Sequence, residues 1–303
     1  MNRKGFVFTM LAIMITSIIV VFFLIGLESV DYGQSSMRDS KMLTMLMEDI
    51  EDDVSRGLYI TSFRTLMGQI ERTIVTGNYL SSAQDTFVEG MINGTIEGSS
   101  PEILEDTSFM DWLEKITLLI EERGYTFDYE ITRLTQTHTS PWSVTATLMM
   151  EYNITSPDGM KGYNRIIDIQ REVPIIGLED PAYYIQSLGR LSNTINKSDT
   201  NDIMLLIDAS SENSRYIESN LSHSFLQRLE GDFSPSNYGI ESIVSGQRFK
   251  SQGIIDYEGR SSIDALYFID SGAIVQCVED APEWFRIDIN RISRYDNINN
   301  ITC

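Results

Sequence analysis

Two histidines, His138 and His223, and two cysteines, Cys277 and Cys303, make up the chain's stock of side chains best suited to proton transfer, thiol chemistry and soft-metal ligation near neutral pH. Neither histidine stands in an H-E-x-x-H pattern. The sequence also has no C-x-x-C pair, no G-x-S-x-G elbow and no glycine-rich phosphate loop. His138 precedes the Ser140-Pro141 turn signal and His223 lies near Asn220, so both are expected at the surface. Carboxylates are plentiful, with 44 Asp and Glu, so a pair at glycosidase spacing would arise in almost any fold of this chain and says little. Asp208, Ser210, Glu212 and Ser214 alternate oxygen ligands but lack the turn glycine and closing glutamate of a calcium loop. The run Glu48, Asp49, Glu51, Asp52, Asp53 reads as a solvated helix face. No catalytic residue, cofactor or metal is expected, and the chain is read as a non-enzyme.

The remaining candidate chemistry is covalent modification. In an oxidising compartment Cys277 and Cys303 would close a loop of about 25 residues and stabilise the C-terminus by roughly 3 kcal/mol. Two unpaired thiols are the alternative. N-x-S/T acceptor sequons stand at Asn93, Asn153, Asn196, Asn220 and Asn300. The formal net charge of −21 disfavours polyanionic partners, so no nucleic acid is expected.

From Phe6 to Leu27 no charged residue occurs, and Glu28 ends the run. As a helix this stretch would be roughly 33 Å long at about 1.5 Å per residue, enough for a bilayer core. It lacks the small-residue cleavage pattern of a secretory signal. Arg3 and Lys4 on one flank place the N-terminus in the cytoplasm by the positive-inside rule. The expectation is a single-pass plasma-membrane protein with membrane lipid as a partner through residues 6–27 and most of the chain extracellular.

Arg3-Lys4-Gly5 followed by Phe6-Val7-Phe8-Thr9 resembles the leader of type IV prepilins and archaeal prepilin-like proteins. The resemblance implies cleavage between Gly5 and Phe6, an apolar helix retained on the mature protein, and assembly with copies of itself or other pilin-like subunits. Met10 stands where bacterial pilins carry a glutamate.

Elements must then be found to position these groups. Met42, Met45, Leu46, Ile50 and Val54, continued by Phe63, Leu66, Met67, Ile70 and Ile74, keep helical spacing, with Gly33 and Gly57 as candidate breaks and Gly77-Asn78 as the stop. A second helix is expected over Leu80–Met91. A third carries Phe109, Trp112, Leu113, Ile116, Leu119 and Ile120 on one face, capped by Ser108 with Asp111 and stopped at Gly124. Three alternating runs follow, on Tyr125–Ile131, Trp142–Tyr152 and Tyr163–Val173. Separated by turn signals, they predict an antiparallel meander with one buried face. Beyond Gly177, Ser187–Ser214 reads as a loop-rich linker. Met204–Ile207 reads as a short strand, Ser224–Gly231 as a capped helix, and Ile263–Ile269 and Trp284–Ile289 as strands.

Four blocks in this last region, Gly177–Pro181, Ser224–Gly231, Tyr238–Ser242 and Ser262–Asp264, are similar to a recurring pattern of uncharacterised archaeal surface proteins. That resemblance implies an envelope location and no activity.

The expected fold class is therefore α+β, divided into a leader (1–5), a transmembrane helix (6–27), a helical stalk (28–77), helices with an antiparallel sheet (78–176) and a loop-rich C-terminal α+β region (177–303). The expected function is a non-catalytic pilin-like or surface-appendage subunit. An anchored adhesin or envelope-structural protein is the alternative, and behind it an anchored enzyme or solute-binding protein.

Overall fold

The computed structural model describes residues 41–159, 161–255, 257–269, 271–298 and 300–301. The chain divides into two compact units, Met1–Asp53 and Val54–Cys303. In the first, residues 41–53 are helical. The second opens with α1, residues 54–76, which ends at Gly77, and continues with α2 (Ala83–Asn93) and α3 (Phe109–Glu121).

The architecture is mixed α+β with small open sheets. The long apolar N-terminal helix of the expected fold class is not found among the described residues. None of the described helices is long and apolar enough to cross a membrane. The helical residues from 41 on carry Lys41, Glu48, Asp49, Glu51, Asp52, Asp53, Arg56, Arg64, Glu71 and Arg72, far too many charges for a hydrocarbon environment. Residues 6–27, and with them the Gly5–Phe6 junction, lie outside the described residues. The single-pass topology, lipid partnership and cell-surface placement built on that segment are accordingly set aside.

Gly57 does not break α1. A Cβ there would stand 2.5 Å from Cδ1 of Trp112, so the glycine is the space into which the half-buried indole of α3 packs. The capping box that begins α3 is present. The Ser108 side chain accepts from the Asp111 amide, and the Asp111 carboxylate accepts from the Ser108 amide at 2.8 Å. Leu113, Ile116 and Ile120 are buried, but Leu119 is 55% exposed and does not belong to the core face.

The meander is an antiparallel sheet of order β1 (Thr126–Ser140), β2 (Ser143–Thr155), β3 (Gly162–Pro174). Val144, Ala146, Leu148, Met150 and Tyr152 of the central strand are all buried, but so are Ser143, Thr145 and Thr147, so the first half of β2 is covered on both faces and the expected one-sided burial holds only beyond Leu148. A register shift between Ile131 and Arg133 changes the phase of β1, so that Leu134 and Gln136 point inward after Phe127. The edge of β1 is not left open there. Gln84 of α2 donates to the Leu134 carbonyl at 3.1 Å and accepts from the Gln136 amide at 2.7 Å, using its side-chain amide as a short stretch of neighbouring strand would.

Beyond the meander the elements are short: α4 (Pro181–Gln186), β4 (Asn196–Lys197), α5 (Ile203–Ala209), β5 (Arg215–Glu218), α6 (Phe225–Glu230), β6 (Ile240–Ser242), α7 (Gly246–Ser251), α8 (Asp264–Tyr267), β7 (Val275–Gln276) and β8 (Ile287–Asp288). Strands β4, β5 and β6 form one sheet and β7 and β8 another. Met204–Ile207 is helical, because Asp202 caps the amides of Met204 and Leu205 and Ile203, Leu206 and Ile207 form one buried helical face. Residues 264–267 are also helical, with the Tyr267 amide bonded to the Ile263 carbonyl at 2.8 Å. Only Ile287 and Asp288 of the expected Trp284–Ile289 strand pair in a sheet.

Gly57→Ala separates packing from propensity. Alanine favours a helix over glycine by about 1 kcal/mol, yet here it collides with the base of a large ring. Chemical denaturation is expected to show net destabilisation. A gain in stability would mean the Gly57–Trp112 contact is not tight.

Candidate functional site

The centre of the C-terminal region is a charge. Arg228, on α6, is fully buried. Its helix is set by a capping box between Ser224 and Gln227 and closed by Gly231 in the left-handed conformation. Nη1 donates to Asp180 Oδ2 at 2.6 Å, and Nη2 donates to Asp264 Oδ2 at 2.9 Å and to the Ile240 carbonyl at 2.6 Å. Asp180 also caps α4 through the Ala182 amide and accepts from the Tyr216 hydroxyl at 2.8 Å. Asp264 accepts from Ser242 Oγ, which in turn bonds the Tyr183 hydroxyl at 2.7 Å.

A second cluster lies on the other side of β6. Arg291 Nε donates to Glu241 Oε2 at 2.9 Å, and Nη1 reaches Asp288 Oδ2 at 3.3 Å. The Ser222 and Tyr295 hydroxyls complete the shell of Glu241. Because successive strand side chains face opposite ways, Glu241 and Ser242 connect the two clusters through three residues of strand.

Burial tends to lower the Arg228 pKa, but the flanking Asp180 and Asp264 carboxylates outweigh it and hold the guanidinium charged above its usual range. Burial pushes the Asp264 carboxyl up, with Arg228 opposing. Burial likewise raises the phenols of Tyr183, Tyr216 and Tyr295, which stay protonated and able to donate. Nε of Arg228 is buried and finds no hydrogen-bond partner among the described residues, but both Nη atoms and the carboxylates they meet are paired within the protein and closed to solvent, so the arrangement is a structural lock with no opening for a substrate.

Neither histidine is at the surface. His138 is half-buried and joins the meander turn to α6. Its Nδ1 lies 3.0 Å from the Ser143 carbonyl, and its Nε2 accepts from the Leu226 amide at 3.2 Å. His223 is fully buried, edge-on to Phe233, and neither ring nitrogen has a hydrogen-bond partner among the described residues. Burial, reinforced by Arg228 and Arg291, drives its pKa well below the ordinary histidine value, so the ring is neutral.

The open site is lined by none of the lock's charged residues. A cleft of about 570 Å³ is lined by α7, the Tyr257–Arg260 turn, Ser262, Tyr267 and the segment from Glu283 to Arg286. The turn closes with the Arg260 amide donating to the Tyr257 carbonyl at 3.2 Å. Gly259 supplies its third position at φ +85°, a value side-chain-bearing residues rarely adopt. This geometry folds the Arg260 guanidinium over the Tyr257 ring at 4.1 Å, while Arg260 Nη1 donates to the Tyr267 carbonyl. The floor is fixed by two bonds: the Ser262 amide donates to the Arg286 carbonyl at 2.7 Å, and the Arg286 amide donates to Ser262 Oγ at 3.0 Å. Trp284 sits edge-on to Phe285 on one wall. A second cleft, of about 720 Å³, carries Trp142 with Lys197 over its ring, together with Asp199, Glu218 and Asp296.

Sequence reasoning pointed elsewhere. Cys277 is disulfide-bonded, but its expected partner Cys303 lies outside the described residues, and no disulfide joins two described residues. Among the sequons, Asn93, Asn220 and Asn300 are exposed and Asn153 and Asn196 half-buried. Asn220 accepts from Arg294 at 2.7 Å, and Asn300 bonds Glu279. Among the described residues no group of three or more His, Cys, Asp or Glu is arranged to hold a metal ion. The Tyr-Glu-Gly-Arg turn was the signal that could have revealed the cleft.

The chain matches no family model, no curated protein and no solved structure. The resemblances to prepilins and to archaeal surface proteins are thus not upheld. The pilin-like, appendage-subunit, adhesin and envelope-structural readings that rested on them, and on anchoring, are withdrawn. The four C-terminal blocks have a different explanation. They carry Asp180, Arg228, Glu241, Ser242 and Asp264, five members of the two buried clusters.

Two outcomes follow. Replacing Arg228 by Met strands Asp180 and Asp264 and should cost about 3–5 kcal/mol in denaturant unfolding, with part recovered by adding Asp264→Asn. If the double variant is no better than the single, the stranded charge is not the cause. For His223, the unfolded chain binds a proton near pH 6.5 and the folded chain only at lower pH. Stability should therefore be level above about pH 6.5 and fall below it, by up to about 1.4 kcal/mol per pH unit for this one group. His223→Phe should remove that part of the slope between pH 6.5 and 5. An unchanged slope would contradict the neutral, buried assignment.

Proposed function

We propose that the C-terminal region is a non-catalytic recognition module that takes a small polar ligand in the cleft between α7, the Tyr257–Arg260 turn and the Glu283–Arg286 segment. The observation that carries this reading is the convergence of Tyr257, Tyr267 and Trp284 with Lys250, Arg260 and Arg286 around one cavity of ligand size. Aromatic rings provide area and orientation, and cations provide direction. Among the described residues no histidine or cysteine lines the cleft, and Ser262 Oγ is engaged with the Arg286 amide, so the lining favours holding a molecule over transforming it. The paired backbone of Ser262 and Arg286 keeps the floor in place before a ligand arrives, which reduces the ordering cost of binding.

The chain has three tryptophans, Trp112, Trp142 and Trp284, and only Trp284 lines this cleft. Labelled with 5-fluorotryptophan, the full chain should give three fluorine resonances, assignable by Trp→Phe variants. Screening small polar molecules should move the Trp284 signal alone, and Tyr257→Ala should weaken the response at least several-fold. A panel that leaves Trp284 still, or that moves Trp142 instead, would contradict the assignment.

A further inference from the structure

The charges of the cleft narrow the ligand. In a chain of net charge −21, the described residues of this lining include three cations, Lys250, Arg260 and Arg286, and two carboxylates, Glu258 and Glu283. The other cleft has the opposite balance, with Asp199, Glu218 and Asp296 against Lys197 and Arg294. The partners of the first set matter more than its sum. Arg286 Nη1 donates to the Glu283 and Phe285 carbonyls, at 2.6 and 2.7 Å, so neutral oxygens and no carboxylate meet it there. Lys250 is exposed at the end of α7; its carbonyl accepts from the Gly253 amide, but its ammonium makes no hydrogen bond or ion pair among the described residues. Glu258 and Glu283 are exposed as well.

Each ligand class can be weighed against that lining. A compact polyanion such as inorganic phosphate would satisfy the cations but bring its charge against Glu258 and Glu283, and would leave Trp284 and Tyr257 without use. A neutral sugar would stack on a ring and donate hydroxyls to the two glutamates, but would leave Lys250 and Arg286 without an anionic partner. Arg260 is already engaged, over the Tyr257 ring and on the Tyr267 carbonyl, and a sugar ring carrying one carboxylate suits the remaining groups: an apolar ring face on the Trp284 wall, hydroxyls donating to Glu258 and Glu283, and one carboxylate for Lys250 and Arg286.

We propose that the cleft recognises a uronate, a pyranose bearing a single carboxylate, either free or as the end unit of an acidic polysaccharide. This rests on the cleft being the chain's binding site. The charge preference is a separate claim and can fail alone.

The test uses the fluorotryptophan-labelled full chain and four probes: methyl glucuronide, methyl glucoside, a short oligouronate and inorganic phosphate. The first two differ only in carboxylate against hydroxymethyl. The Trp284 resonance should respond to the glucuronide at least tenfold more tightly than to the glucoside, and this advantage should shrink several-fold between 50 and 300 mM salt. Lys250→Met, at an exposed position, should abolish most of the tenfold preference while leaving the weak glucoside response. Tighter binding of the oligomer than of the monomer would assign the source to a polymer end, and equal binding to the free sugar. Equal binding of glucoside and glucuronide would overturn the uronate proposal and leave the recognition reading intact. Phosphate competing as well as the glucuronide would also overturn it, in favour of a simple anion site. No Trp284 response to any probe would overturn the uronate proposal outright.

Discussion

An arginine removed from water must be matched by carboxylates, and those carboxylates by further donors, or the fold loses several kcal/mol. Arg228 imposes that constraint here. Its guanidinium fixes Asp180 at the start of α4, Asp264 at the start of α8 and the Ile240 carbonyl of β6 in a single set of bonds. Arg291 repeats the device through Glu241 and Asp288. β6 is the member common to both, and Gly239 before it is a tight point: a Cβ there would stand 1.9 Å from the Ser222 carbonyl oxygen.

This constraint explains how such a fragmentary region holds one structure. Helices α4 to α8 have four to seven residues each, too short to persist on their own. Their side chains do pack, with Tyr183, Phe225, Leu229, Phe249 and Tyr267 in one apolar cluster. Apolar packing is non-directional, however, and does not by itself select a register. The charge network does, because each carboxylate satisfies only one arrangement of donors. The candidate cleft inherits that order through Ser262, which lies two residues before Asp264 and whose carbonyl accepts from the Val244 amide at 2.7 Å.

Much of this was legible where local chemistry decides structure. The Ser108–Asp111 box, the Ser224–Gly231 helix and the alternation of Val144 to Tyr152 all depend on neighbours in sequence. The sequence was misleading where distant groups decide. Met204–Ile207 is an apolar run too short to show a period, and only the Asp202 cap distinguishes helix from strand. Gly57 is a helix breaker by type, but it sits where Trp112 needs room. His223 is polar by type, and its burial follows from Phe233 and the two arginine clusters around it. The four C-terminal blocks stood out as a pattern, yet nothing local shows that Asp180 and Asp264 meet on one guanidinium. The cleft was missed for the same reason: Tyr257 and Trp284 are far apart in sequence, and only the Gly259 turn hinted that Tyr257 and Arg260 stack. The segment 6–27, the clearest feature of the sequence, lies outside the described residues.

The buried arginine clusters join the short elements into one cooperative unit. Native-state hydrogen exchange tests it most directly, read at the amides of Ala182, Arg228, Ser242 and Ala265, which sit on four different elements around Arg228. All four should exchange only by a common opening, with equal free energies that fall together as denaturant is added. Independent exchange, with α4 or α8 opening well below the others, would show that the network decorates the fold and does not hold it.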